Sequence, residues 1–138
     1  MRHKKFSIIL YFLLCIILCS ILTGCLKKDQ ERQRKKVVYV ICKRNVIPTH
    51  LGELIDEQKK EPFHFTYTTG EFTYYVVGYG RQSGRGYQIK VNEFCADDTH
   101  IYIDTTLKGV TKEHQKKGTS YPYIVLKSQF YEKEVIFH

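Results

Sequence analysis

Apolar and polar positions change their pattern four times along the chain. Ile8 to Leu22 is an apolar run broken only by Ser20, and Lys27 to Lys36 holds no apolar residue. Val37 to Lys43 is β-branched and apolar on both faces, which predicts a first strand with little exposure. Leu51, Leu54, Ile55 and Gln58 then share one helical face, with Glu53, Asp56 and Glu57 on the other. Pro48 suits the first turn of that helix and Lys59 and Lys60 the last, while Pro62 stands where it must stop. The result is one helix of about three turns packed by one face on a sheet.

From Phe63 the period becomes two. Phe63, Phe65 and Tyr67 alternate with His64, Thr66 and Thr68, and Phe72 to Tyr79 forms a second strong strand beyond a turn at Gly70-Glu71. Gly78 to Gly86 reads as a glycine-rich hairpin turn. Tyr87, Ile89 and Val91 then alternate with Gln88, Lys90 and Asn92; Ala96-Asp97-Asp98 is a turn; Ile101, Ile103 and Thr105 form the next strand. Lys108 to Ser120 is polar apart from Val110 and reads as a long loop. Ile124 to Leu126 and Val135 to Phe137 close the chain, with Pro122 placing the first of these at a sheet edge or a strand entry. Six or seven strands, one early helix and no βαβ alternation predict a mostly β (α+β) fold. The expectation is an antiparallel sandwich or open barrel, with one short amphipathic helix after the first strand.

The N-terminal run follows Arg2, Lys4 and Lys5 without an acid. Its length is in or near the h-region range of ~7–15 residues and below the ~20 that span a bilayer. It ends in Leu22-Thr23-Gly24-Cys25, which resembles the lipobox of bacterial lipoproteins. That resemblance implies a signal peptide over 1–24, acylation of Cys25, and a chain held by lipid on the outer side of the cytoplasmic membrane. An uncleaved membrane anchor is the other reading of the same run. Residues 25–36 become a basic tether, either a plain spacer or one lying on anionic headgroups. Residues 37–138 remain for one domain.

Charge then changes its meaning. The formal charge is +8, yet Val37 to His138 holds 13 Lys and Arg against 12 Asp and Glu. The excess lies in the signal and tether, so a nucleic-acid partner is not expected. Cys15 and Cys19 leave with the signal; Cys42 and Cys95 remain, as a disulfide or as free core thiols.

Sites for chemistry are sparse. The glycines of 78–86 precede a strand pattern, so the helix N-terminus of a phosphate loop is missing. The histidines share no ligand spacing, nothing local activates Cys42 or Cys95, and Asp97-Asp98 lacks a calcium ligand ladder. No catalytic set, metal or cofactor is expected. A small envelope hydrolase or metal protein would require dispersed side chains to converge on folding. Tyr79, Arg81, Arg85 and Tyr87 flank the glycine-rich turn and are the candidate partner-binding residues, since Tyr and Arg at exposed tips anchor interfaces. Packing of Tyr79 against Tyr87 as a cross-strand pair is the competing reading.

The run from Tyr75 to Val91, with Gly78-Tyr79-Gly80 and Gly86-Tyr87, and the later Thr119-Ser120-Tyr121-Pro122-Tyr123-Ile124-Val125 resemble the PrcB C-terminal domain family. The family is named for an accessory subunit of a bacterial surface protease complex. The resemblance implies an accessory, non-catalytic protein-binding domain whose partner is another cell-surface protein. An inhibitor presenting Gly78–Gly86 to a protease is the alternative. Arg85 stands where the family pattern has the first Gly of Gly-Gly-Tyr, so either Arg85 is strained or Gly84 and Gly86 carry the special angles.

Overall fold

The computed structural model describes residues 33–111, 113–114 and 116–138. The compact unit is Arg34–His138. Cys25, the apolar N-terminal run and the tether as far as residue 32 lie outside the described residues. Among the described residues no helix is long and apolar enough to cross a membrane.

Among the described residues, ten strands and one α-helix follow in order: β1 (Lys35–Lys36), β2 (Val40–Ile41), a 3₁₀ turn (Arg44–Val46), α1 (Thr49–Gln58), β3 (Pro62–Thr69), β4 (Phe72–Tyr79), β5 (Gln82–Arg85), β6 (Gln88–Ala96), β7 (His100–Lys108), β8 (Lys116–Ser120), β9 (Tyr123–Gln129) and β10 (Glu134–Phe137). They make one four-stranded sheet in the order β1-β6-β7-β10, another in the order β2-β9-β4-β3, and a two-stranded ribbon of β5 and β8. Neither four-stranded sheet closes on itself, so the fold is a sandwich with a helix on one outer face. Pairing is antiparallel throughout except that β10 runs parallel to β7.

The strand alternation places the core in two layers. On β4, Tyr75 points to the other sheet and joins Phe94, Ile101, Ile103, Ile124 and Leu126. Its neighbours Tyr74 and Val76 point the opposite way and pack with Val125 against Leu51 and Ile55 of α1. The central sheet is therefore buried on both faces, which is why β4 and β9 read as continuous apolar runs. β3, at its edge, alternates half-buried Phe63, Phe65 and Tyr67 with exposed His64, Thr66 and Thr68, as its period requires. The tight link from β6 to β7 is organised by Asp97. Its Oδ1 accepts the backbone N–H of Thr99 and of His100, both at 2.8 Å, and the Tyr102 hydroxyl donates to Oδ2 at 2.9 Å.

Three expectations are corrected. Val37 to Lys43 is not one covered strand: β1 pairs with β6 in one sheet and β2 with β9 in the other, so this segment crosses between sheets. A crossing segment buries only the side chain that turns inward. Val37 enters the core, whereas Val38 is 86 % exposed. The expected loop Lys108–Ser120 ends in strand β8, and Gly78–Gly86 is not a hairpin turn joining two strands of one sheet. β4 and β6 lie in different sheets, and β5 between them pairs with β8. No apolar period announced either strand because the ribbon is largely exposed. Gly84 and Gly86 take φ of 94° and 99°, and among the described residues no non-glycine has positive φ, so the special angles fall on the glycines and Arg85 is unstrained.

Candidate binding surfaces

The four residues flanking the glycine-rich segment separate into two kinds. The Tyr79 hydroxyl hydrogen-bonds Thr105 Oγ1 at 2.7 Å, and the Tyr87 hydroxyl donates to the Ser83 carbonyl at 2.7 Å. Both tyrosines have their polar ends engaged by the domain itself, and they are not a cross-strand pair; Tyr79 faces Pro62 across β3 and β4. Arg81 and Arg85 are exposed. The segment is held along its length: Gln82 Nε2 donates to the Tyr79 carbonyl at 2.7 Å, Ser120 Oγ donates to the buried Gly84 carbonyl at 2.6 Å, and β5 is paired with β8. A strand so engaged is a ribbon and not a free loop tip.

Cys42 and Cys95 are free thiols, the first just beyond β2 of the central sheet and the second on β6 of the facing sheet. Cys42 packs beside the α1 core, and burial raises its pKa. Cys95 is buried with Sγ 2.8 Å from Glu93 Oε1, to which it donates. Burial first, then the Glu93 carboxylate, push this thiol up to about 11. At neutral pH it stays protonated, which is the opposite of what a thiol nucleophile needs. The Glu93 carboxylate also holds Arg34 at 3.0 Å, and the Arg34 guanidinium lies 3.9 Å from the centre of the Tyr102 ring. This cluster fastens the start of the domain to β6 and β7. Among the described residues no group of three or more His, Cys, Asp or Glu is placed to hold a metal.

The surface that sequence reasoning missed lies at the crossing segment. A cleft of about 630 Å³ opens among Val38, Val40, Val46, Phe72, Lys127 and Tyr131. Val40 and Val46 are each 63 % exposed. β2 is the edge strand of the central sheet. Because the Cys42 N–H donates to the Val125 carbonyl at 2.9 Å and Ile41 sits opposite Leu126, alternation turns the N–H and C=O of Ile41 away from β9 to the open edge. Lys127 Nζ stands 4.0 Å from the Phe72 ring centre and supplies one cation to a mostly apolar wall that also holds Ser128 and Gln129. The arrangement offers an extended apolar segment both a pocket and unpaired edge groups. The signal in the sequence was the unbroken apolarity of Val37 to Cys42. It marks a doubly covered strand or a sticky edge equally well, and periodicity does not separate the two.

Neither the curated proteins nor the solved structures gave a match to this chain. A family model described as PrcB C-terminal matches residues 73–128, a stretch that runs from β4 to β9 and so includes both ribbon strands and the centre of each sheet. This stretch, less than half of the chain, is similar to the PrcB C-terminal family, a family of accessory domains.

Proposed function

We propose that the protein is a membrane-anchored extracytoplasmic lipoprotein, acylated at Cys25, whose β domain is a non-catalytic accessory subunit of a cell-surface protein assembly such as a protease complex. The observation that carries this reading is the apolar cleft beside the open β2 edge. Soluble domains seldom leave Val38, Val40, Ile41 and Val46 together in water, and a grouped apolar surface of this kind marks a contact site. The family match supports an accessory role. The raised thiol of Cys95 supports a non-catalytic one. The inhibitor reading loses support from the pairing of β5 with β8, which ties down the segment that would have to enter a protease cleft.

The test is affinity capture from mildly solubilised envelope with the tagged, lipidated chain, beside a Val38→Ser/Val46→Ser variant. Both side chains are exposed, so the variant should keep the wild-type melting temperature. One stoichiometric surface protein retained by the wild type and reduced at least about tenfold in the variant is the expected result, since loss of two apolar contacts is worth about 1.4 kcal/mol or more. Equal capture by both proteins would remove the cleft from the interface. Incorporation of fatty acid into the wild type but not into Cys25→Ser tests the anchor separately.

A further inference from the structure

The near-neutral charge of the domain hides a strong segregation. Stretches 81–90 and 108–120 carry seven Lys and Arg against a single acid, Glu113, whereas the rest of 37–138 carries six against eleven. The fold brings these two stretches together. β5 and β8 are paired, Arg85 stands directly opposite Lys116, and Lys108 faces Gln88 at the adjoining end of the β6–β7 pair. Like charges directly opposite one another on a ribbon oppose its formation. Arg81, Arg85, Lys108, Lys116 and Lys117 are all exposed, and among the described residues none of them has an ion-pair partner. Several of the remaining acids are paired elsewhere: Glu93 with Arg34, Asp56 with Arg44 and Lys59, Glu134 with His100.

We infer that the β5–β8 ribbon is an electrostatic contact for an anionic lipid surface, separate from the apolar cleft. Composition decides between lipid and protein. Protein–protein contacts are poor in Lys and are anchored by aromatic side chains, yet three of these five residues are Lys and the nearby Tyr79 and Tyr87 already spend their hydroxyls on Thr105 and Ser83. Flexible ammonium groups spread over two strands suit a sheet of headgroups, where each cation adds independently. Reach is also sufficient. Residues 25–33 can extend to roughly 30 Å, close to the diameter of a domain of this size. That step rests on the chain being held at a membrane near Cys25, as proposed above, and either the lipid or a retained apolar segment would hold it there.

The test uses the full chain reconstituted in vesicles of phosphatidylcholine alone or mixed with phosphatidylglycerol. Acetylation rates of individual lysines are read by mass spectrometry, with exposed Lys43 as reference. Phosphatidylglycerol should slow Lys108, Lys116 and Lys117 by about fivefold relative to Lys43. The protection should vanish in molar salt, where screening acts over about 3 Å. Equal rates in the two vesicle types overturn the inference. So does protection by added polyglutamate with none from phosphatidylglycerol, which would give the ribbon to an acidic protein. The anchor is read in the same sample from the mass of the Cys25 peptide, so a failed anchor and a failed ribbon contact are told apart.

Discussion

Gly78 sits directly opposite Phe63 in the β3–β4 register, and a β-carbon at that position would lie 2.1 Å from the Phe63 ring. The ring covers the glycine and fills the space that a side chain would take. Gly78→Ala should therefore cost about 1–3 kcal/mol through overpacking. The cost should largely disappear in a Phe63→Ala background, where the clash is gone; additive losses in urea melts of the four proteins would show that the ring is not the cause. Asp97 makes a second prediction at this scale. The backbone N–H of Thr99, then that of His100, and the Tyr102 hydroxyl hold its carboxyl well below the usual range. A carboxyl depressed in the folded state stabilises above its unfolded pKa of about 3.9, and that stabilisation is lost as pH falls through the folded value. The wild-type melting temperature should drop between about pH 5 and pH 2 more steeply than that of Asp97→Asn. Parallel curves would mean that another carboxylate governs the acid limb.

At the scale of elements, the ribbon is the part whose sequence works against its own formation. Replacing one of two opposed cations turns a repulsive pair into an attractive one, so Lys116→Glu opposite Arg85 should stabilise the ribbon by roughly 0.2–1 kcal/mol while weakening its attraction to anionic vesicles. Amide exchange at β5 and β8 should slow in this variant as lysine protection by phosphatidylglycerol falls. A ribbon that loosens would show that Lys116 is held by contacts other than charge. The same element shows where sequence reading stops. α1 and β3 were legible because each buries a periodic face, β4 and β9 because burial on both faces makes each a continuous apolar run, and the turn at Asp97 because its residue types dictate it. β5 and β8 bury little and left no period to read. The Val37–Lys43 segment did leave a signal, a run of apolar residues. Whether both of its faces are covered depends on which sheet lies beside it, and that is decided by β6 and β9, far along the chain. The cleft was hidden for the same reason. Arg81 and Arg85 stood out in the sequence as candidate binding residues, but the charge cluster they belong to formed only when β8 brought Lys116 and Lys117 alongside.

Across the whole domain, one sheet serves two cores. Val125 and Leu126 are consecutive on β9 and both fully buried, the first against α1 and the second against the facing sheet. Neither core survives loss of the strand that supplies both, so helix, central sheet and outer sheet should unfold together. Leu51→Ala, which empties part of the helix core, should lose about 2–5 kcal/mol; Ile103→Val, which removes one methyl group from the inter-sheet core, should lose about 0.5–1.5 kcal/mol. Both variants should shift a single urea transition with its slope unchanged. Far-ultraviolet circular dichroism reports α1 and the strands. Tyrosine fluorescence reports Tyr74 on the helix side and Tyr75 on the other. The two signals should trace one curve in each protein. A Leu51→Ala variant whose helix signal melts before its tyrosine signal would show that α1 is a separable layer. In that case the cleft, walled partly by the 3₁₀ turn that leads into α1, would loosen with the helix while the sandwich stayed folded.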